Sequence, residues 1–425
     1  MRESLDVPYV TQIDDTSNPH HLIKRCGAAC AEMVLGSIGA EHPDQIELYD
    51  QIRTAGVGDT GSWYSPPRGL TAVLQTVSTR PGTFRGSFSI KKEPGELVRG
   101  RGRAAEAEAE RVISRQIITT IQERRAPVAL VYDGGHWLVV RGYQTVERVT
   151  GSGSEVISGF DVNNPSPLAY PHDTTPNPCD KGGIGHICYP RWQDRYLTPV
   201  FSFRGGRDYS NRCVAICVDT TVVRPRMALT APELPAEEKQ AAAQAPLSGN
   251  AQLINPADAI GRAEAGIKDY ELYAREPWRT ALQSAQPGNP LLVQELDRLD
   301  SYYYIVPWRT QPDNAVMAVT VNAKNGAYQE SVCCLNGNIY LPPQLTAKQL
   351  AQLVIGKKFL LPGQQGELVV REEALSIYPL LVWRPCLESF SPFRPFYLFI
   401  VGAHRLYLRV DGDIFTSLNS NVLGA

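Results

Sequence analysis

The sequence predicts an α+β fold, with helices and strands segregated along the chain rather than alternating. Three observations predict it. Helix-forming segments dominate residues 27–125, short strand-like runs bounded by turn signals follow up to residue 218, and the last third is a succession of aromatic and β-branched runs.

The elements follow in order. Residues 27–38, built from Ala, Glu, Met and Leu, read as a helix, and 43–52 and 67–77 as two shorter ones. Residues 104–125 read as a longer helix, because Val112, Ile113, Ile117 and Ile121 recur at helical spacing, and Pro127 closes it. Two strands, 128–132 and 137–143, are joined through Asp133-Gly134-Gly135, a strong turn signal. A further strand ends in Phe160-Asp161-Val162-Asn163-Asn164-Pro165, and 213–218 reads as another. Strands that follow one another this closely make an antiparallel sheet and argue against a doubly wound fold. From 164 to 212 the chain is full of Pro, Gly and Asp, a loop long enough to be a functional cover or a disordered segment.

Residues 224–250 are rich in Ala, Pro, Glu and Gln and lack aromatic and β-branched runs. Such a stretch cannot bury enough apolar surface to fold alone, so it reads as a linker. It divides the chain into a domain at 1–223 and a separate α+β domain at 251–425. The second part opens with an expected helix at 256–273. Tyr302–Arg309 and 315–326 then resemble 378–384, 396–402 and 406–412, as a duplicated β-meander around a helix at 346–354 would. Asn325-Gly326 between apolar runs is a hairpin signal. No nucleophile and base are legible in this half, and its role is unknown.

Composition excludes several functions. Among 425 residues, 42 Lys+Arg oppose 44 Asp+Glu, a net charge of −2. That balance exerts no long-range pull on nucleic acid or anionic lipid, so neither is an expected partner. The longest apolar run, 396–403, is far short of the roughly 20 residues that span a bilayer. The first residues show no apolar core of a Sec signal peptide. The nine cysteines, odd in number and irregular in spacing, read mostly as reduced thiols. A cytoplasmic protein is expected, or one exported without a Sec signal; oligomeric state is not legible.

The chemistry concentrates in four segments of the first part. In Cys26-Gly27-Ala28-Ala29-Cys30-Ala31-Glu32-Met33-Val34-Leu35 a cysteine stands at the start of a helix. Unpaired N–H groups and the positive end of the helix dipole there are expected to lower the thiol pKa and favour the nucleophilic thiolate. Gly135-His136-Trp137 places a histidine at the head of an apolar strand, where it can serve as the base partner of a thiol. Asn164 before Pro165, or Asp161 if the register differs, can hold the second ring nitrogen of that histidine. In Val7-Pro8-Tyr9-Val10-Thr11-Gln12, the glutamine amide can donate to an oxyanion.

The order Gln, Cys-Gly, His, Asp/Asn resembles the papain-like cysteine peptidases. Within them it is most similar to the bacteriocin-processing, double-glycine-type peptidases and their soluble relatives. Val7–Gln12, Cys26–Leu35, Pro127–Val131, Gly135–Tyr143 and Asn164-Pro165 recur in family order over about residues 7–220. The resemblance implies a helical lobe with Cys26 as nucleophile, a β lobe with His136 as general base and Asn164 as its partner, and Gln12 in the oxyanion hole. It implies a protein or peptide substrate and no metal or organic cofactor. The sequence departs from the family in two places. The interval from Gln12 to Cys26 is longer than usual, so 14–24 must loop out. Asn164 stands where the family usually has Asp.

Other readings stay open. The same triad serves a protein glutamine deamidase or transglutaminase, and a papain-like binding protein could keep the fold without catalysis. Cys30, one turn into the helix, is the competing nucleophile, although core packing suits it better. Cys179, His186 and Cys188, with Cys213 and Cys217 nearby, do not have a standard zinc spacing. The cluster Arg99, Arg101 and Arg103 reads as a solvated loop rather than a nucleic-acid patch.

Overall fold

The computed structural model describes residues 1–12, 24–58, 63–78, 87–94, 102–147, 155–166, 183–201, 206–219, 253–312, 314–334, 339–361 and 367–419. The expected linker at 224–250, Cys179, Arg99 and Arg101 lie outside the described residues.

The N-terminal part runs β1 (Arg2–Ser4), α1 (Cys26–Ser37), α2 (Gln45–Ala55), α3 (Pro67–Ser78), β2 (Phe88–Pro94), α4 (Gly102–Gln122), β3 (Val128–Val131), β4 (His136–Glu147), β5 (Glu155–Asn163), β6 (Gly183–Cys188) and β7 (Arg212–Val218). The fold is mixed α and β. The helices α1 to α4 precede β3, β4 and β5; β4 pairs with β3, β5 and the N-terminal β1, all in antiparallel register. Asp44 caps α2 by accepting from the Glu47 amide.

Two expectations change. The sequence gives no strand between 164 and 212, yet β6 runs through it, buried along its whole length and paired on both sides. Gly183-Ile-Gly-His-Ile-Cys188 has no polar alternation because neither face meets water. The strand expected from Trp137 begins instead at His136 and extends to Glu147.

The C-terminal part contains α5 (Pro256–Asp269), α6 (Trp278–Ser284), β8 (Gln286–Pro287), β9 (Leu291–Glu295), β10 (Tyr302–Arg309), β11 (Asn314–Asn322), β12 (Tyr328–Cys334), β13 (Ile339–Tyr340), α7 (Ala347–Val354), β14 (Lys358–Leu360), β15 (Glu367–Val369), β16 (Leu375–Trp383), β17 (Phe396–Val401), β18 (His404–Arg409) and β19 (Ile414–Phe415). Strands β10 to β12 form one antiparallel meander and β16 to β18 another. A capping box of Thr346 and Gln349 starts α7.

The strands before and after 224–250 are hydrogen-bonded to one another. Strand β12 pairs with β6, Ser331 opposite His186, and this contact joins both parts into a 17-stranded sheet. One apolar core takes in Cys26, Trp63 and Trp137 together with Trp383, Phe390 and Phe396. Buried ion pairs cross the same boundary. Arg191 reaches Glu295 at 3.0 Å and Glu330 at 3.3 Å, and Arg275 reaches Asp161 at 3.0 Å. Among the described residues no helix is long and apolar enough to cross a membrane.

Candidate active site

Cys26 is the first residue of α1, not the residue before it, and is buried. Small residues make that burial possible. A Cβ on Gly27 would lie 2.4 Å from the Ser65 Cβ and 3.3 Å from Trp137 Cδ1. Helix α1 therefore packs its first turn directly on the residues before α3 and on the head of β4. Trp137 Nε1 donates to the Ser65 carbonyl at 3.1 Å and fixes the same junction. The residue next to His136 is thus anchored against the turn that carries the thiol.

Burial reverses the expected electrostatics. It pushes the Cys26 thiol up to about 12, outweighing the backbone N–H groups of Trp137, Gly27 and Cys26 that favour the thiolate. The helix terminus acts as expected, but removal from water costs the anion more. Cys30 is fully buried one turn on, and burial raises its thiol well above the ordinary range.

His136 heads β4 after an unusual turn. Tyr132, Asp133 and Gly134 all have positive φ, at 54°, 56° and 83°. Two non-glycine residues in the left-handed region cost free energy and persist only when neighbours hold them. The Tyr132 amide donates to the Tyr196 carbonyl at 3.0 Å, and the Asp133 amide to Thr198 Oγ1 at 2.9 Å. The turn that delivers the imidazole is held from outside.

The imidazole is fully buried. Its Nε2 lies 2.8 Å from Asn164 Oδ1. Asn164 Oδ1 also accepts from the Ser166 amide at 2.9 Å, and its Nδ2 donates to the Phe390 carbonyl at 3.2 Å. With a donor on each side of the amide assigned in this way, Nε2 carries the proton. Nδ1 is then a bare lone pair, and it has no hydrogen-bond partner among the described residues. Burial pulls the imidazole down to about 4, against the Asn164 hydrogen bond, which favours the charged form. Thiol and imidazole are both neutral at rest.

The Val-Pro-Tyr-Val-Thr-Gln segment lies against the same corner. Tyr9 Oη donates to the Asn164 carbonyl at 2.7 Å, and the Gln12 backbone N–H to the Pro165 carbonyl at 3.0 Å. Asn163 Nδ2 donates to the Val7 carbonyl at 3.2 Å. Gln12 is buried, and its side-chain Oε1 has no partner among the described residues. Most of the long interval before Cys26, 13–23, lies outside the described residues.

Asp161 stands elsewhere. It faces β6, where it meets His186 Nδ1 at 2.7 Å and Arg275 at 3.0 Å. Burial pushes its carboxyl up, but His186, Arg275 and Arg2 outweigh that and hold it at about 2. The structure brings Asn164, not Asp161, to His136. His186 is thereby committed to an ion network, Cys188 Sγ to the Tyr328 carbonyl and Cys213 Sγ to the Leu197 carbonyl. Among the described residues no group of three or more His, Cys, Asp or Glu side chains could hold a metal ion. Cys334 is disulfide-bonded, while the other described cysteines are free.

Phe390 is the site residue that sequence reasoning missed. Its ring stacks on the His136 imidazole, with centroids 4.5 Å apart and planes inclined by 10°. It sits in the turn between β16 and β17, and nothing in Glu388-Ser-Phe-Ser-Pro-Phe393 announces contact with a histidine 254 positions earlier.

A cysteine opening a helix against the head of a β-strand, and a strand-borne imidazole oriented by an asparagine, are features of the papain-like class. Residues 4–167, less than half of the chain, match the family model described as Peptidase_C39 like family. The N-terminal part thus resembles the papain-like cysteine peptidases of that group. No curated protein matches the chain. One solved structure, the C-terminal domain of YpeB from Bacillus megaterium, matches at 10% identity over 65% of this chain and 89% of that one. Its TM-score of 0.16 carries no structural argument.

Proposed function

We propose that the chain is a cysteine peptidase with Cys26 as nucleophile, His136 as base and acid, and Asn164 as the orienting residue. The observation that carries this reading is the His136–Asn164 hydrogen bond, which leaves Nδ1 without a partner among the described residues on a strand anchored to the first turn of α1.

The chemistry is acyl transfer. Nδ1 of His136 takes the proton of the Cys26 thiol as the sulfur attacks an amide carbonyl. The Gln12 side-chain amide and the Cys26 backbone N–H stabilise the oxyanion. His136 returns its proton to the leaving nitrogen, the C–N bond breaks, and an acyl thioester remains. A water molecule, deprotonated by Nδ1, then attacks the thioester, and the thiol is released with a carboxylic acid. Residues 1–223 carry the reaction, and the part from 251 onward serves it from outside the triad.

The test is a peptide library treated with wild type, Cys26→Ala and His136→Ala and read by mass spectrometry. The reading requires backbone cleavage, at whatever rate, with wild type and none with either variant. A one-dalton gain on glutamine side chains would assign the same residues to deamidation instead. Turnover that survives Cys26→Ala would end it.

A further inference from the structure

Phe390 touches both partners of the hydrogen bond that orients the imidazole. Its ring lies on His136 and its carbonyl accepts from Asn164 Nδ2. It also stacks on Tyr132, with centroids 6.1 Å apart. The turn that carries it is firmly built. Tyr303 Oη donates to the Pro392 carbonyl at 2.8 Å, Ser389 Oγ lies 3.0 Å from the carbonyl oxygens of Ser391 and Arg394, and Arg409 Nη1 donates to the Glu388 carbonyl at 2.6 Å. Arg394 is paired with Asp411 beneath the turn.

Beneath the Phe390 ring His136 exposes 0% of its surface, and Cys26, in the same apolar core, exposes 3%. A substrate amide must come within hydrogen-bond reach of the base and bonding reach of the sulfur. No peptide fits while both are buried. Resting on the peptidase reading of the site, we propose that the turn around Phe390 is a built-in cover that keeps the enzyme latent, and that turnover requires it to lift from His136. The cover belongs to the same chain, so it is always at high effective concentration and closes without a ligand. Its direct hold on the triad is one ring stack and one hydrogen bond, modest contacts that substrate or a partner can displace.

Thiol alkylation tests this without any turnover. Iodoacetamide is added to the full-length protein at neutral pH, and labelling of Cys26 and Cys30 is followed by peptide mass spectrometry in wild type, Phe390→Ala and Tyr303→Phe. Observed labelling scales with the open fraction, so Cys26 is expected to react about tenfold faster in Phe390→Ala, and faster than wild type in Tyr303→Phe. Cys30, fully buried in the same helix, is expected to stay unlabelled. If Phe390→Ala labels both cysteines, the variant has unfolded and Tyr303→Phe, which loses only a hydroxyl, decides. Cys26 labelling that is unchanged or slower in Tyr303→Phe, or as fast as a free thiol in wild type, overturns the proposal. Faster Cys26 labelling with no peptide cleavage would leave the cover standing and remove the peptidase reading.

Discussion

Asn164 holds the far nitrogen of His136, with Oδ1 2.8 Å from Nε2, while its own Nδ2 is taken by the Phe390 carbonyl. The two bonds together fix which end of the amide faces the ring, and hence which ring nitrogen is free to act as base. Asn164→Ala removes that choice. Turnover is expected to fall roughly tenfold to a hundredfold with KM little changed, although the cover loses a hydrogen bond at the same time. Asn164→Asp puts a negative charge beside the imidazole and favours its protonated form. The acid limb of the kcat/KM profile is then expected to move to higher pH. A profile unmoved by Asn164→Asp would remove Asn164 from the site.

A buried neutral histidine makes stability depend on pH. The folded pKa of His136, about 4, lies below its ordinary 6.5. Its contribution is therefore complete above pH 6.5 and is lost as pH falls toward 4, where the unfolded chain binds a proton the folded one refuses. The shift corresponds to about 3 kcal/mol across that window. Urea unfolding of wild type and His136→Gln at pH 7.5 and 4.5 checks it. Wild type is expected to lose more stability than the variant on acidification.

Glu110 gives the opposite slope. It is buried on α4, accepting from Ser114 Oγ, Tyr189 Oη at 3.0 Å and Gln193 Nε2 at 2.6 Å, with no cation bonded to it among the described residues. Burial raises its carboxyl to about 7 despite those donors. Stability is fully present below pH 4.5 and lost as pH rises to 7, by about 3 kcal/mol. Relative to Glu110→Gln, wild type is expected to weaken steadily between pH 4.5 and 7 and to run parallel above. A constant difference across that range would exclude the shift.

The residues of the candidate site stand out in the sequence because each belongs to a short, local pattern. Cys26-Gly27 needs a helix start with no side chain at 27, His136 needs a turn before an apolar strand, and Asn164-Pro165 marks a strand end. What the sequence did not disclose is tertiary. The Cys26 thiol rises because of burial by elements far along the chain, which no local dipole argument contains. Phe390 meets Asn164 across a separation of 226 residues, with no periodicity to link them. Strand β6 was hidden because burial on both faces removes the alternation by which strands are read.

The junction between α1 and β4 depends on the missing side chain of Gly27. An alanine there would place its Cβ 2.4 Å from the Ser65 Cβ and 2.6 Å from its Oγ. Helix α1 and Ser65 must then move apart, which disturbs the junction where Trp137 of β4 is bonded to the Ser65 carbonyl. Gly27→Ala is expected to cost about 1–3 kcal/mol, as overpacking does, and to lower turnover by more than its loss of folded protein explains. Adding Ser65→Gly empties the space the new methyl needs. The double variant is expected to regain most of the stability, and a double-mutant cycle with no coupling would refute the contact.

Arg191 ties the N-terminal part of the chain to the C-terminal part. It bridges Glu295 and Glu330, both buried and both in the part of the chain that carries Phe390. Arg191→Met leaves Glu295 with Arg195 at 3.7 Å, but leaves Glu330 with the Tyr196 hydroxyl as its one donor among the described residues. An uncompensated buried carboxylate costs about 3–5 kcal/mol. Burial already raises Glu330, and loss of the guanidinium raises it further, so the penalty is present only where the carboxylate is ionised. The loss is therefore expected to be larger at pH 8 than at pH 5. Arg191→Met with Glu330→Gln removes the orphaned charge and is expected to restore most of the stability at pH 8. Equal losses at both pH values would show that Arg191 contributes packing rather than charge.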